Sequence, residues 1–150
     1  MSRSENAVKK FIDGYNCAQS VIFSYSDKVG ISGELALKAA CGFGGGMGRK
    51  QEVCGAVTGG ILALGLMYGR GENEDKQKLE LTYAKVRELI DRFNERHETI
   101  NCRELLDGCD LSTPEGHQRF ISENLRARCC DYVGDVVKTL DEITEHWQSA

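Results

Sequence analysis

Sixteen consecutive residues near the middle of the chain, 53–68, carry no formal charge. A helix that is apolar on every side is normally buried at the centre of a domain, with other helices packed around it. The run is shorter than the roughly 20 apolar residues that a membrane-spanning helix needs, and it contains four glycines. We therefore expect a central glycine-rich apolar helix over about 52–69.

The rest of the chain also has a helical pattern. Apolar residues recur at intervals of three and four, and no stretch of four or more residues alternates as a strand does. The longest predicted helix covers residues 74–98. Residues that can cap the start of a helix stand at Ser4, Asn16, Ser32, Asn101 and Thr113. The sequence predicts an all-α fold for residues 1–150, with six or seven helices in a single domain.

Charge and composition exclude several classes of partner. The chain has 19 basic and 23 acidic residues and a net charge of −4, so it lacks the basic surface that binds nucleic acid or an anionic membrane. The N-terminal residues are amphipathic, without the apolar core of a signal peptide. We expect a cytoplasmic protein with no membrane segment and no nucleic-acid partner.

Seven cysteines are the unusual part of the composition. In a reducing cytosol, thiols more often serve as metal ligands, redox groups or small buried side chains than as disulfides. Cys17 and Cys102 each follow a capping asparagine, and Cys54 stands where the central helix begins. Helix N-termini favour the thiolate and lower its pKa. The alternative is that each of the three is an ordinary core cysteine.

The cysteine spacing excludes the simplest metal and redox motifs. The chain has no C-x-x-C pair, so neither a zinc ribbon nor a thioredoxin motif fits, and it has no C-x-x-C-H for covalent haem. Any site must be assembled from separate helices. Four thiolates gathered in this way could hold an iron–sulfur cluster, hold a zinc ion or form reversible disulfides.

A glycine-rich loop, residues 42–48, precedes the central helix. It fails the spacing of the nucleotide-binding motifs and follows a predicted helix instead of a strand, so we expect no nucleotide. The backbone N–H groups of Gly44, Gly45 and Gly46 are expected to face an anion such as a thiolate or a cluster sulfide. The alternative is a tight turn with no ligand. The histidines, His97, His117 and His146, are expected on the surface.

Five motifs together resemble those of the C_GCAxxG_C_C family of redox-active proteins. They are NCAQ at 16–19, FGGGMGR at 43–49, CGAVTG at 54–59, NCREL at 101–105 and DLSTPEG at 110–116. The resemblance covers nearly the whole chain. A related domain is found in split-Soret cytochrome c, where the cysteines resemble an iron–sulfur site, but this chain lacks the haem-binding part of that protein.

The resemblance implies four site cysteines: Cys17, Cys54, Cys102 and Cys129. Cys129 matches better than Cys130 because the last cysteine of the family lies four residues before an aliphatic residue, here Val133. That choice agrees with the helical pattern, which puts Cys129 on the buried face of the last helix and Cys130 off it. The three remaining cysteines, Cys41, Cys109 and Cys130, fall outside the family pattern.

The resulting hypothesis is a redox protein whose four cysteines form one buried site that binds an iron–sulfur cluster for electron transfer. Zinc is the second choice of metal. An alternative is a metal-free protein in which the same cysteines are redox-active thiols that cycle through disulfides. A second alternative is a helical module that binds a small anion or a partner protein without catalysis. The redox partner is unspecified, and the central helix is a candidate homodimer contact.

Overall fold

The computed structural model describes residues 1–149, and the described chain is almost entirely helical. Residues 1–149 form a single 3₁₀ turn, Cys41–Phe43, and nine α-helices: α1 Arg3–Ile12, α2 Cys17–Val29, α3 Gly33–Ala40, α4 Gly44–Met47, α5 Gly55–Tyr68, α6 Gln77–His97, α7 Cys102–Leu105, α8 Pro114–Ser122 and α9 Arg126–Ile143. Helix α4 is one irregular turn, in which Gly45 and Gly46 have left-handed backbone angles. Seven of the α-helices have eight or more residues, whereas α4 and α7 have four each. Within the described residues, the only extended pairing is one isolated antiparallel bridge between Val53 and Asn101. The all-α prediction is confirmed.

Helix α5 is the central helix, and it packs against α2, α6 and α9. Its first two turns are buried on every side. Two adjacent glycines explain how neighbouring helices come so close. A Cβ added to Gly59 would lie 2.7 Å from the carbonyl oxygen of Ala18 in α2. A Cβ added to Gly60 would lie 2.8 Å from Leu89 in α6 and 3.0 Å from Val136 in α9. Gly59 and Gly60 are therefore packing positions.

The first helix begins earlier than predicted. Its N-cap is Ser2, and the Ser2 and Glu5 side chains each bond the other residue's backbone N–H. This reciprocal box stabilises the earlier start because it satisfies two N–H groups that would otherwise have no partner. The predicted cap at Ser4 was wrong. Ser4 is buried instead, and its hydroxyl donates a 3.0 Å hydrogen bond to the carbonyl oxygen of Gly134 in α9.

The other four predicted caps are confirmed. Asn16 and Gln19 form a complete capping box at α2, and Ser32 and Thr113 cap α3 and α8. At α7, the side chain of Asn101 accepts the N–H of Glu104 at 2.9 Å. The N–H of Asn101 does not use Glu104 and donates instead to the Thr99 hydroxyl at 3.0 Å.

Helix α6 begins later than predicted. Helix α6 starts at Gln77 instead of residue 74, because the Glu74 carboxylate accepts the N–H of Gly71 at 2.6 Å and so belongs to the preceding turn. Helix α9 ends at Ile143. Trp147 lies beyond it, and its indole N–H donates to the carbonyl oxygen of Met67 at 2.7 Å. The C-terminal segment thus packs against the end of the central helix.

Candidate redox site

Four cysteines from four separate parts of the chain line one cavity of about 330 Å³. Cys17 is the first residue of α2, Cys54 is the N-cap of α5, Cys102 is the first residue of α7 and Cys129 lies in the first turn of α9. Cys54 is only 4% exposed, and the other three are half-buried. Each thiol therefore stands at the start of a helix, and the four helix starts surround a common space.

The remaining cysteines lie outside the lining of this cavity. Cys41 is exposed, and Cys130 is half-buried in a separate surface groove beside α1. Cys109 is buried in a small second core with Leu106 and Leu125, against which Cys102 and Cys129 also pack. Its thiol donates to the carbonyl oxygen of Gly116 at 3.2 Å. Cys109 is thus a packing residue behind the cavity wall.

A short backbone pairing brings Cys54 and Cys102 together. The N–H of Cys54 donates to the carbonyl oxygen of Ile100 at 2.7 Å, and the N–H of Cys102 donates to that of Glu52 at 2.6 Å. These bonds surround the isolated bridge between Val53 and Asn101. The sequence offered no signal for the bridge, because a pairing this short has no alternating pattern of its own.

The glycine loop forms another part of the wall, and its backbone has an unusual conformation. Positive φ angles occur at six of the seven positions from 45 to 51, including the non-glycine residues Met47, Arg49 and Gln51. Such angles are costly for residues with a side chain and are concentrated at functional sites. The loop closes on itself, because the N–H groups of Gln51 and Glu52 donate to the carbonyl oxygens of Gly45 and Gly46 at 3.0 and 2.9 Å.

The three glycines predicted to face a ligand have different surroundings. Gly45 and Gly46 line the cavity. A Cβ at Gly46 would lie 2.7 Å from the Cβ of Cys102, so only glycine fits beside that cysteine. Gly44 instead packs against Asn16, whose side-chain nitrogen would be 2.4 Å from an added Cβ. The side-chain amide of Asn16 also donates to the carbonyl oxygen of Cys41 at 3.0 Å, which holds the loop against the start of α2.

Gln51 is a site residue that the sequence analysis missed. Its side chain is buried, with the amide nitrogen donating to the carbonyl oxygen of Cys109 at 2.7 Å and the amide oxygen accepting the N–H of Leu111 at 2.8 Å. It therefore ties the glycine loop to the segment that follows α7. A lone glutamine in a charged stretch gives no sign of burial, because glutamine is usually exposed.

Burial opposes ionisation of the cavity thiols, and it is the largest influence on the pKa of Cys54 and Cys102. It raises the pKa of Cys54 to about 12, although the backbone N–H groups of Ala56 and Val57 act in the opposite direction. Burial also raises the pKa of Cys102 to about 11, and the proximity of Cys129 adds to this. The expected lowering by the helix N-terminus therefore acts on Cys54, but loss of contact with water outweighs it.

The thiols of Cys17 and Cys129 shift each other's pKa in opposite directions. The pKa of Cys17 is raised well above its ordinary value, first because its thiol bonds to Cys129 and second because it is buried. The pKa of Cys129 is lowered because its sulfur accepts that bond, and the Arg126 guanidinium contributes further lowering. Cys129 is therefore the thiol of this pair that carries negative charge more readily.

Basic side chains and histidine complete the description of the cavity. Arg49, Arg126 and His117 are among its lining residues, and all three are exposed. His117 is thus on the surface as expected, but at the opening of the site. The surface prediction was wrong for His97, which is only 17% exposed at its side chain. Its Nε2 lies 2.8 Å from Asp135, and its ring packs edge-on against Tyr132 in the cavity wall.

Within residues 1–149, no three or more His, Cys, Asp or Glu side chains converge closely enough to hold one metal ion. Over the same residues, every helix is too short or too polar to cross a bilayer.

Comparison with known proteins supports the cysteine pattern. A family model described as "Putative redox-active protein (C_GCAxxG_C_C)" matches residues 15–143, which include all four cavity cysteines. An uncharacterized protein of Archaeoglobus fulgidus is 27% identical over 150 aligned positions, covering 92% of this chain and 93% of that protein. No solved structure shows a significant match. Because the family model covers most of the chain, this protein belongs to the C_GCAxxG_C_C family of redox-active proteins.

Proposed function

We propose that the four cavity cysteines bind an iron–sulfur cluster and that the protein is an electron carrier. The observation that carries the proposal is the convergence of Cys17, Cys54, Cys102 and Cys129 on one cavity from four separate segments. Iron–sulfur clusters are commonly held by four cysteine thiolates. A bound cluster supplies one-electron chemistry whose potential depends on hydrogen bonds and burial.

The chemistry of the donor set fits such a group. Apart from the four thiols, the cavity wall consists mostly of aromatic residues, aliphatic residues and glycines, and no carboxylate of residues 1–149 lines it. Two arginines, Arg49 and Arg126, line it as well, and their charge offsets the negative charge of several thiolates. The raised pKa of Cys54 and Cys102 in the free chain means that these thiols lose their protons when metal binds.

A cluster and a zinc ion place different demands on the four thiols. A structural zinc ion needs four donors about 2.3 Å from a single point when the ligands are thiolates. A cluster places its thiolates on different iron atoms, so the cysteines need only surround it. A cluster is the group we propose, with zinc as the second choice of metal.

Residues of the wall have distinct roles in this proposal. Cys54 is the most buried of the four cavity thiols and stands at the N-terminus of α5, so the N–H groups of Ala56 and Val57 stabilise negative charge on its sulfur. Gly45 and Gly46 let the loop backbone approach the cavity without a side chain intervening. Apolar side chains such as Phe120 and Tyr132 keep water from the interior, which affects the reduction potential.

The direct test is the iron and acid-labile sulfide content of protein purified without oxygen. We expect both elements to be present, together with charge-transfer absorption in the visible range. Replacing any of the four cavity cysteines with serine is expected to lower the iron content, whereas Cys41→Ser, at an exposed cysteine outside the cavity, should leave it unchanged. Anaerobic protein with no iron and no sulfide would exclude the cluster.

The Cys17–Cys129 pair favours a second candidate function, metal-free thiol–disulfide exchange. In this scheme the Cys129 thiolate attacks a disulfide of a substrate, forms a mixed disulfide and releases one substrate thiolate. Cys17 then loses its proton and attacks the Cys129 sulfur, which releases the second substrate thiolate. The products are a Cys17–Cys129 disulfide and a substrate that has gained two electrons.

Glutathione disulfide distinguishes the second candidate from the first. In iron-free reduced protein, we expect it to produce a Cys17–Cys129 cross-link, identified by peptide mapping. The Cys17→Ser variant should stop at a mixed disulfide on Cys129, because the attacking thiol is missing. If glutathione disulfide modified all seven cysteines at random, or modified none of them, selective exchange at this pair would be excluded. The binding-module alternative predicts instead that alkylation of the cavity thiols leaves ligand binding intact.

A further inference from the structure

The opening of the thiol cavity has a charge opposite to that of the whole protein. Two arginines, Arg49 and Arg126, give it a positive charge and His117 also lines it, whereas none of the acidic residues in the described part of the chain does. The complete chain has a net charge of −4. An opening with one sign of charge attracts groups of the other sign and speeds their association.

The two arginines at the opening are not neutralised by the protein. Within residues 1–149, neither Arg49 nor Arg126 forms a salt bridge. Nearby arginines differ in this respect, since Arg103 pairs with Asp110 and Arg128 pairs with Asp107. Arg126 donates instead to the carbonyl oxygen of Ile12 at 2.8 Å, near the end of α1, and so keeps its full charge.

Exposed apolar groups accompany these charges. Tyr15 is 37% exposed and lines the opening, and Met47 is 39% exposed between the lining residues Gly46 and Arg49. Ile121 is 77% exposed and follows the lining residue Phe120. Tyrosine, methionine and arginine are enriched where proteins bind other proteins. We call the exposed side chains that line the opening the mouth surface; its members are Tyr15, Arg49, His117 and Arg126.

The positions of the charges favour a protein partner over a small ligand. Arg49, His117 and Arg126 are all exposed. The buried part of the cavity contains thiols and apolar groups, with no basic residue deep inside that would bind the anionic end of a small molecule. Charges at the rim of an interface act mainly on the rate and orientation of association.

We infer that the mouth surface is the docking site for an acidic redox partner protein. The inference rests on the proposed function only in calling the partner a redox protein. Docking itself depends on the exposed charges and apolar groups, and these are present whether or not a cluster is bound. Partner binding and iron content can therefore be measured on the same sample, and either prediction can be contradicted without the other.

The test is a calorimetric titration of the protein, as purified, with an acidic plant-type ferredoxin. We expect binding at about 20 mM ionic strength that weakens at least about tenfold at about 200 mM, because salt screens the contacts between exposed charges. Arg49→Gln should weaken low-salt binding by about threefold, since it removes one rim charge. Arg49 already has a positive φ, so glutamine there adds no backbone strain. His117→Gln is the second variant, also at the opening.

Arg87→Gln is the matched control, because Arg87 is exposed on α6, outside the cavity, and the substitution removes the same charge. The Arg87→Gln variant should bind the ferredoxin as tightly as the wild type does. As a second control, basic cytochrome c should not bind the wild-type protein. Equal losses in Arg49→Gln and Arg87→Gln would overturn the inference, as would failure of the ferredoxin to bind. Displacement of the ferredoxin by succinate, beyond the effect of sodium chloride at equal ionic strength, would indicate a small-anion site and would also overturn it.

Discussion

The backbone N–H of Cys102 donates a 2.6 Å hydrogen bond to the carbonyl oxygen of Glu52. This bond joins two segments 50 positions apart in the chain and sets one cavity thiol beside the segment that leads into another, Cys54. The glycine loop, the start of α5 and the start of α7 are thereby held as one unit. The following predictions test how this unit and its surroundings support the site.

Gly46→Ala is expected to disrupt the contact between the glycine loop and α7. An added Cβ would lie 2.7 Å from the Cβ of Cys102 and 2.8 Å from the backbone nitrogen of Glu52. Gly48→Ala is the control, because Gly48 has a similar positive φ of 58° but open space around it. Gly48→Ala should cost about 1 kcal/mol for the left-handed conformation alone, and Gly46→Ala clearly more.

Urea unfolding of the two glycine variants gives both free energies. Gly46→Ala should also lower the iron content of anaerobically purified protein, whereas Gly48→Ala should not. Equal destabilisation by the two variants would mean that the loop can move away from Cys102.

Gln51→Leu is expected to destabilise the protein by about 2–4 kcal/mol, because it leaves a buried carbonyl and a buried N–H without partners. The Gln51 side chain now bonds these two groups, which are the carbonyl oxygen of Cys109 and the N–H of Leu111. Gln118→Leu, at an exposed glutamine of α8, makes the same chemical change and should cost little. Thermal unfolding of both variants measures the difference. A Gln51→Leu protein as stable as Gln118→Leu would contradict a structural role for the amide.

Asn101→Ala is expected to loosen α7, the four-residue helix that begins with Cys102. The substitution removes the hydrogen bond from the N–H of Glu104 to the asparagine side chain. Loss of such a cap typically costs about 0.5–2 kcal/mol. Asn101→Asp keeps an acceptor at the cap and should retain the wild-type stability and iodoacetamide reactivity of Cys102. If both variants changed that reactivity alike, the cap would not be what positions the thiol.

Ionisation of the buried Tyr25 hydroxyl is expected to destabilise the protein at alkaline pH. Burial and the hydrogen bond from its hydroxyl to Asp141 raise the pKa of Tyr25 well above the ordinary value of about 10. The folded protein favours the neutral hydroxyl. The contribution of this hydroxyl to the free energy of unfolding is therefore complete below about pH 10 and is lost as the pH rises from there towards the folded-state pKa.

Tyr25→Phe should therefore be less stable than the wild type by about 1–3 kcal/mol near pH 8, and the gap should narrow above about pH 10. Denaturant unfolding of reduced protein at several pH values measures it. Tyr83→Phe, at an exposed tyrosine of α6, is the control and should show no such trend. A gap that stayed constant up to pH 11 would mean that Tyr25 ionises as easily in the folded protein as in the unfolded chain.

Much of the fold could be predicted from local patterns. The uncharged run, the capping box at Asn16 and the proline after Thr113 each depend on interactions within a few residues, and the structure agrees with all three. The caps at Ser4 and Asn101 were less predictable. Ser2 and Ser4 are both candidates for the N-cap of α1, and the structure uses Ser2. The backbone N–H of Asn101 donates to the hydroxyl of Thr99 instead of to the side chain of Glu104.

The sequence by itself determined most of the helices, the buried central helix and the position of a thiol at the start of three helices, because these follow from periodicity and from capping chemistry. Only the tertiary structure decided that a fourth thiol, Cys129, also lies at the start of a helix, that the four thiols share one cavity and that Gln51 ties the glycine loop to the segment after α7. These features depend on contacts between residues tens of positions apart. Local patterns contain no information on such contacts, which arise only when the helices pack around α5.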